Sequence, residues 1–210
     1  MLSGLLLILA AYAAVFAGAE LLLRRGWSPL LARKSAHAAG GLVSCALPAL
    51  VTQAAAVSIG AGLSLMLAAA SRRRALPAVH AGGTAAGAAL FPAGLALSAL
   101  LFWNSGVFVW SALLLALADA AAGAGGGLWG RRKYSLTGPK TLEGSAIFFA
   151  VALCITLAFV YSGRGGLDAA GAAAAAAGAL ALTLVESALG RGWDNVGVPL
   201  AGGAVLLLLR

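Results

Sequence analysis

The feature that most limits this chain is a succession of apolar runs, each long enough to cross a bilayer, joined by short cationic links. Roughly 17–25 apolar residues in a helix span the ~30 Å hydrocarbon layer. The runs predict helices over about 3–23, 36–52, 54–71, 83–102, 106–122, 144–162, 169–187 and 196–209. The last is short for a full crossing, so the expectation is seven or eight. Overall the chain is 62% hydrophobic and 10% charged, and a soluble core of 210 residues could not hide that much apolar surface. The expected class is therefore an all-α, polytopic membrane protein. No polar linker divides it, so residues 1–210 read as one domain. The first run, "LLLILAAYAAVFAGAELLL", is too long for a signal-peptide core and has no basic residue before it, so it is expected to stay.

The 29 glycines and the alanine tracts need no catalytic explanation, because small residues let helices pack closely in lipid. Cys45 and Cys154 lie inside apolar runs and read as small buried hydrophobes. The net charge of +8 would suggest nucleic acid in a soluble protein. Here the cations sit in short loops, which favours membrane orientation and anionic ligands, with no nucleic acid expected. Alternate threading puts Arg24, Arg25, Arg33, Lys34, Arg72–Arg74, Arg131, Arg132, Lys133, Lys140 and Arg191 on one side, twelve cations, and only Arg164 and Arg210 on the other. The bias places the N-terminus outside and the rich loops in the cytoplasm.

Five of the six acids (Glu20, Asp119, Glu143, Glu186 and Asp194) and both histidines fall near that same side. Acids at membrane depth are costly and are usually kept for function or pairing. For Glu20 and Glu186, simple neutralisation at a helix end competes with a functional role. The densest polar stretch is "DAAAGAGGGLWGRRKYSLTGPKTLEGS", Asp119 to Ser145. If the helix continues past its predicted end, Asp119, Ala122, Gly126 and Gly130 share one face and form a small-residue stripe that starts at an acid. Arg131, Arg132 and Lys133 follow. Gly138-Pro139 reads as a turn, and Thr141 as the cap of the next helix, beside Lys140. An acid, exposed backbone, clustered cations and a helix start together suit a polyphosphate and its Mg²⁺. The spacing is not that of a Walker A loop, and no strand precedes it as a dinucleotide fold requires. The alternative is a topogenic loop between packing helices.

Three further pieces reach the same side. "RKSAH" places Arg33, Lys34 and His37 on one broad helix face. "RRRALPAVHAGGTAAG" carries His80 and a Gly-Gly-Thr helix entry, its arginines serving as a topology anchor. "VESALGRGWDNVGVP" ends in Asp194 and Asn195, which read either as oxygen donors for Mg²⁺ or as a turn capping the last helix. Zinc spacing, H-E-x-x-H and G-x-S-x-G are all absent from the sequence.

In order along the chain, "RKSAH", "HAGGTAAG", D-x2-A-x3-G-x3-G (Asp119–Gly130), "KTLEGS" (140–145) and "WDN…P" (193–199) resemble the CTP-dependent polyprenol kinase family. That family includes dolichol, phytol and farnesol kinases and CTP-dependent diacylglycerol kinases. The chain is similar to its short, bacterial phytol-kinase-like branch, departing in the extra glycine and alanine around 120–127. The resemblance implies CTP as phosphoryl donor, a membrane lipid alcohol as acceptor, Mg²⁺ as cofactor, and a site on the cytoplasmic side of the plasma membrane. On this reading Asp119, Lys140 and Asp194 are catalytic. Asp119, Glu143, Asp194 and Asn195 hold the metal. Arg33, Lys34, His37, Gly126, Gly130, Arg131, Arg132, Lys133, Lys140 and Thr141 bind the nucleotide. Either Asp119 or Asp194 orients or deprotonates the alcohol. The rival readings are a cytidylyltransferase making a CDP-lipid, a transporter with an anion site, and a non-catalytic packing subunit.

Overall fold

The computed structural model describes residues 2–80, 85–103, 106–135 and 138–210. The first long run forms α1, Leu2–Arg24, and stops where Gly26 turns with φ +86°. Ser28 caps the next helix by accepting from the Leu31 N–H, and Pro29 takes its first position. That signal starts α2, Pro29–Cys45, seven residues before the expected 36, and the helix also ends earlier. Arg33, Lys34 and His37 therefore lie well inside a helix. Leu47–Leu50 is a separate short α3, after which Thr52 caps α4, Gln53–Arg72. A short α5, Pro77–His80, precedes α6, Ala85–Phe102. The Gly82–Thr84 entry expected to matter lies outside the described residues.

The expected helix over 106–122 runs further, and not uniformly. It comprises α7, Val107–Leu113, a π-helical turn over Leu114–Asp119, and α8, Ala120–Trp129. Its continuation is what the Asp119–Gly130 stripe required. The bundle is all-α as expected, and the cationic loop adds one small feature to it. Lys133–Ser135 (β1) and Pro139–Thr141 (β2) pair as a small antiparallel ribbon, with Tyr134 opposite Lys140. Thr141 then caps α9, Leu142–Arg164, by accepting from the Gly144 N–H. Gly165, at φ +69°, ends α9, and Asp168 caps α10, Ala169–Ala188. The last helix, α11, is Asp194–Leu208.

The result is a helical bundle in which chain neighbours pack antiparallel: α1 on α2, α4 on α6, α8 on α9, α9 on α10. Phe148, Leu114, Leu115, Leu182 and Leu206 fill one core, and Ile8, Tyr12, Leu47, Ile59 and Phe108 a second. Small residues set the spacing. A Cβ on Gly41 would stand 2.9 Å from Ala116 Cα, and one on Gly94 would overlap the Asn195 carbonyl oxygen. Among the described residues, five helices are long and apolar enough to cross a membrane: Leu2–Arg24, Gln53–Arg72, Val107–Trp129, Leu142–Arg164 and Ala169–Ala188. Large exposed side chains such as Leu65, Leu101, Leu184 and Leu208 suit a lipid surround. Cys154 is among the exposed residues rather than buried, and Cys45 is half-buried with its thiol donating to the Gly41 carbonyl. Up-and-down threading brings the α1–α2, α4–α6, α8–α9 and α10–α11 connections to one end, where the polar residues gather.

Candidate functional site

The site begins with the π turn. An extra residue in a helical turn rotates everything after it, and such turns recur where a side chain must be re-aimed. Here the turn ends on Asp119 and presents its carboxylate to α2. Lys34 Nζ donates to Asp119 Oδ2 at 2.7 Å and to the Asp119 carbonyl at 3.2 Å. His37 Nε2 donates to the Leu115 carbonyl at 3.0 Å and lies 3.3 Å from the same Oδ2. The lysine reaches Asp119 by crossing Gly123, whose missing Cβ leaves its path open. Asp119 is only 3% exposed, so this pairing is what makes the buried charge tolerable.

The second half comes from β2 and the α10–α11 turn. Lys140 Nζ donates to Glu186 Oε1 at 2.5 Å and to Asp194 Oδ2 at 2.9 Å. Burial opposes the Lys140 charge, but the carboxylates of Asp194 and Glu186 outweigh it and hold its pKa above the ordinary lysine range. Oxygens of Asp119, Glu186 and Asp194 lie within 4.8 Å of one another. The π turn and the two consecutive helices α10 and α11 thus deliver one carboxylate cluster, with Lys34 and Lys140 as counter-ions. Among the described residues, two buried side-chain polar atoms lack a hydrogen-bond partner, Glu186 Oε2 and Arg33 Nε. The Arg33 N–H would be satisfied by an acceptor on a ligand, and Glu186 Oε2 by a donor or a cation.

These groups form the polar end of one cavity of about 610 Å³. Its wall includes Arg33, Lys34, His37, Asp119, Gly126, Gly130, Lys133, Lys140, Thr141, Asp194 and Asn195, all expected from the sequence. The other end is apolar, lined by Tyr12, Phe16, Leu47, Ile59, Leu63 and Leu95. His37 and Phe91, with ring centroids 4.3 Å apart, stand between the two. The stripe at Gly126 meets α9 backbone to backbone, a Cβ there coming 3.3 Å from Gly144 Cα. Asn195 Nδ2 donates to the Gly87 carbonyl at 3.0 Å, tying α11 to α6 and leaving Oδ1 as the atom it can offer a ligand.

Three expected residues are not brought in. Arg131 and Arg132 are exposed and off the cavity wall. Glu143 is also off it: its carboxylate accepts the backbone N–H groups of Arg131 and Arg132 at 3.1–3.3 Å. Its place beside the α9 start makes it a clasp for the loop, and the carboxylate that joins Asp119 and Asp194 in the cluster is Glu186. That residue was legible as an acid ending an alanine-rich helix, but not as a member of the cluster. A second unforeseen group ties the ribbon down. Tyr134 Oη lies 2.6 Å from Ser145 Oγ and donates to Ser187 Oγ at 2.9 Å. His80 and Glu20 serve the fold. The His80 ring nitrogens lie 3.0 and 3.1 Å from the Leu76 and Leu67 carbonyls, and Glu20 accepts the Ala78 N–H. Compared with known protein families, curated proteins and solved structures, the chain matches none.

Proposed function

We propose that this chain is a membrane lipid-alcohol kinase that transfers the γ-phosphoryl group of CTP to an isoprenoid-type alcohol. In this reading it crosses the plasma membrane seven or eight times, with the N-terminus outside and the site facing the cytoplasm. The observation that carries it is a cavity whose wall is ionic at one end and apolar at the other. Such a cavity accepts two unlike partners at once, a polyanion and a hydroxyl on an apolar tail. CTP itself comes from the sequence resemblance, because no base-reading group is identified.

Arg33, Lys34, Lys133 and Lys140, among the cations on the wall, bind triphosphate oxygens and steady the charge that builds during transfer. The alcohol tail lies in the apolar slot, with its hydroxyl at the His37–Phe91 boundary. The hydroxyl oxygen attacks the γ-phosphorus, the bond to the β,γ-bridging oxygen breaks, and CDP leaves. The hydroxyl proton passes to Asp119 or Asp194. Holding both reactants in line supplies much of the acceleration. The donor set fits Mg²⁺: three hard carboxylate oxygens converge, and the buried Glu186 Oε2 has no partner. Bound there, Mg²⁺ would neutralise and align the β- and γ-phosphates.

The test is incubation of purified protein with γ-labelled CTP and a panel of polyprenol, phytol, farnesol and diacylglycerol, with ATP in parallel. Label in the lipid together with CDP release supports the proposal. Pyrophosphate release would instead identify a cytidylyltransferase, and nucleotide-independent movement of an anion across liposomes a transporter.

A further inference from the structure

We infer that Lys140 is a resident counter-ion holding the place of a divalent cation, and that metal binding to Asp119, Glu186 and Asp194 drives Lys140 off the carboxylates. The inference deepens the proposed function at its metal, and it stands on the geometry of four side chains. The three acids bring their oxygens within 4.8 Å of one another, a spacing that one cation can bridge. Lys140 spans two of them, at 2.5 Å from Glu186 and 2.9 Å from Asp194. Lys34 neutralises the third, Asp119, at 2.7 Å. Two ammonium groups touch the three carboxylates directly, and the Arg33 guanidinium adds its charge near Asp119 and Asp194. One ligand position is left open: Glu186 Oε2 is buried without a partner, on a residue 3% exposed that lines the cavity. In this arrangement Lys140 bonds one Glu186 oxygen and leaves the other open, whereas a divalent ion would recruit the free oxygen.

The exchange has a mechanical basis. Lys140 is carried by the two-stranded ribbon, not by a bundle helix, and its four-carbon stem moves its charge without moving the backbone. Asp119, Glu186 and Asp194 are fixed by helices. Displaced, Lys140 still lines the same cavity and faces any anion there. Metal loading would thus arm the lysine, so an anion meets a free ammonium only after the cation has arrived.

The experiment is a Mn²⁺ titration of the full chain in detergent, without nucleotide, read by the loss of the free-ion electron paramagnetic resonance signal. Wild type should bind Mn²⁺ saturably. Glu186→Gln should weaken binding about tenfold or more, while Glu143→Gln leaves it unchanged. Lys140→Met removes the competing charge and should tighten binding about tenfold or more. Lys140→Gln repeats that test should the methionine variant elute as aggregate. Equal or weaker binding by a monodisperse Lys140 variant overturns the exchange. Loss through Glu143 in place of Glu186 overturns the ligand set. The kinase reading fails separately: Mn²⁺ binding as described with no lipid phosphorylation would sink that reading and leave this one standing.

Discussion

Replacing Gly123 by alanine should reverse the usual sign of that substitution. In an ordinary helix Gly→Ala stabilises by about 1 kcal/mol. At Gly123 the new Cβ would overlap Lys34 Cε and stand 2.5 Å from Nζ, so the lysine must leave its path. Leaving costs its charge-assisted bond to the buried Asp119, worth about 1.5–3 kcal/mol. The difference predicts a net destabilisation of about 0.5–2 kcal/mol. In a Lys34→Ala background nothing blocks the methyl group, and the same substitution should stabilise by about 1 kcal/mol. The coupling energy of the cycle is then the lost bond itself. Equilibrium unfolding in mixed micelles, followed by circular dichroism, measures all four proteins. Stabilisation by Gly123→Ala in both backgrounds would show that Lys34 does not run over Gly123, and the account of how Asp119 is held would fall.

Two further substitutions probe the packing and the loop. Gly94→Ala would drive a methyl group into the Asn195 backbone, parting α6 from α11, and should cost about 1–3 kcal/mol in the same unfolding assay. Arg131→Ala with Arg132→Ala should change nucleotide affinity little, because both side chains are off the cavity wall, whereas Lys133→Ala should weaken it several-fold. Equilibrium binding of labelled CTP separates the two, and equal losses would return the arginines to the site.

The helices were legible because each apolar run is long and uniform, and because caps announce their starts. Where the expectation slipped, a local signal had been outweighed by hydropathy. Ser28-Pro29 starts α2 seven residues before 36, through residues too polar to count as a span. The helix continuing to Trp129 passes glycines whose cost is offset by contacts with Leu30, Lys34 and Thr141. Asp119, Lys140 and Asp194 were legible as charges stranded in or beside apolar sequence, and the structure gathers them on one cavity wall. Glu186 was visible too, but a lone acid at a helix end carries no sign of its partner 46 residues away on the ribbon. Glu143 misled for a related reason. It sits in the densest polar stretch, yet a carboxylate beside free backbone N–H groups is captured by them. The π turn has no sequence signal that periodicity could reveal, since it depends on how α2 packs against it.

The proposed kinase activity requires Asp119 and Lys140 to serve one phosphoryl-transfer site. It is tested most directly by single-turnover transfer from γ-labelled CTP to a lipid alcohol in purified, folded Asp119→Asn and Lys140→Ala proteins. The account predicts transfer by the wild type and a loss of about a hundredfold or more in each variant. Near-normal transfer in both would contradict it.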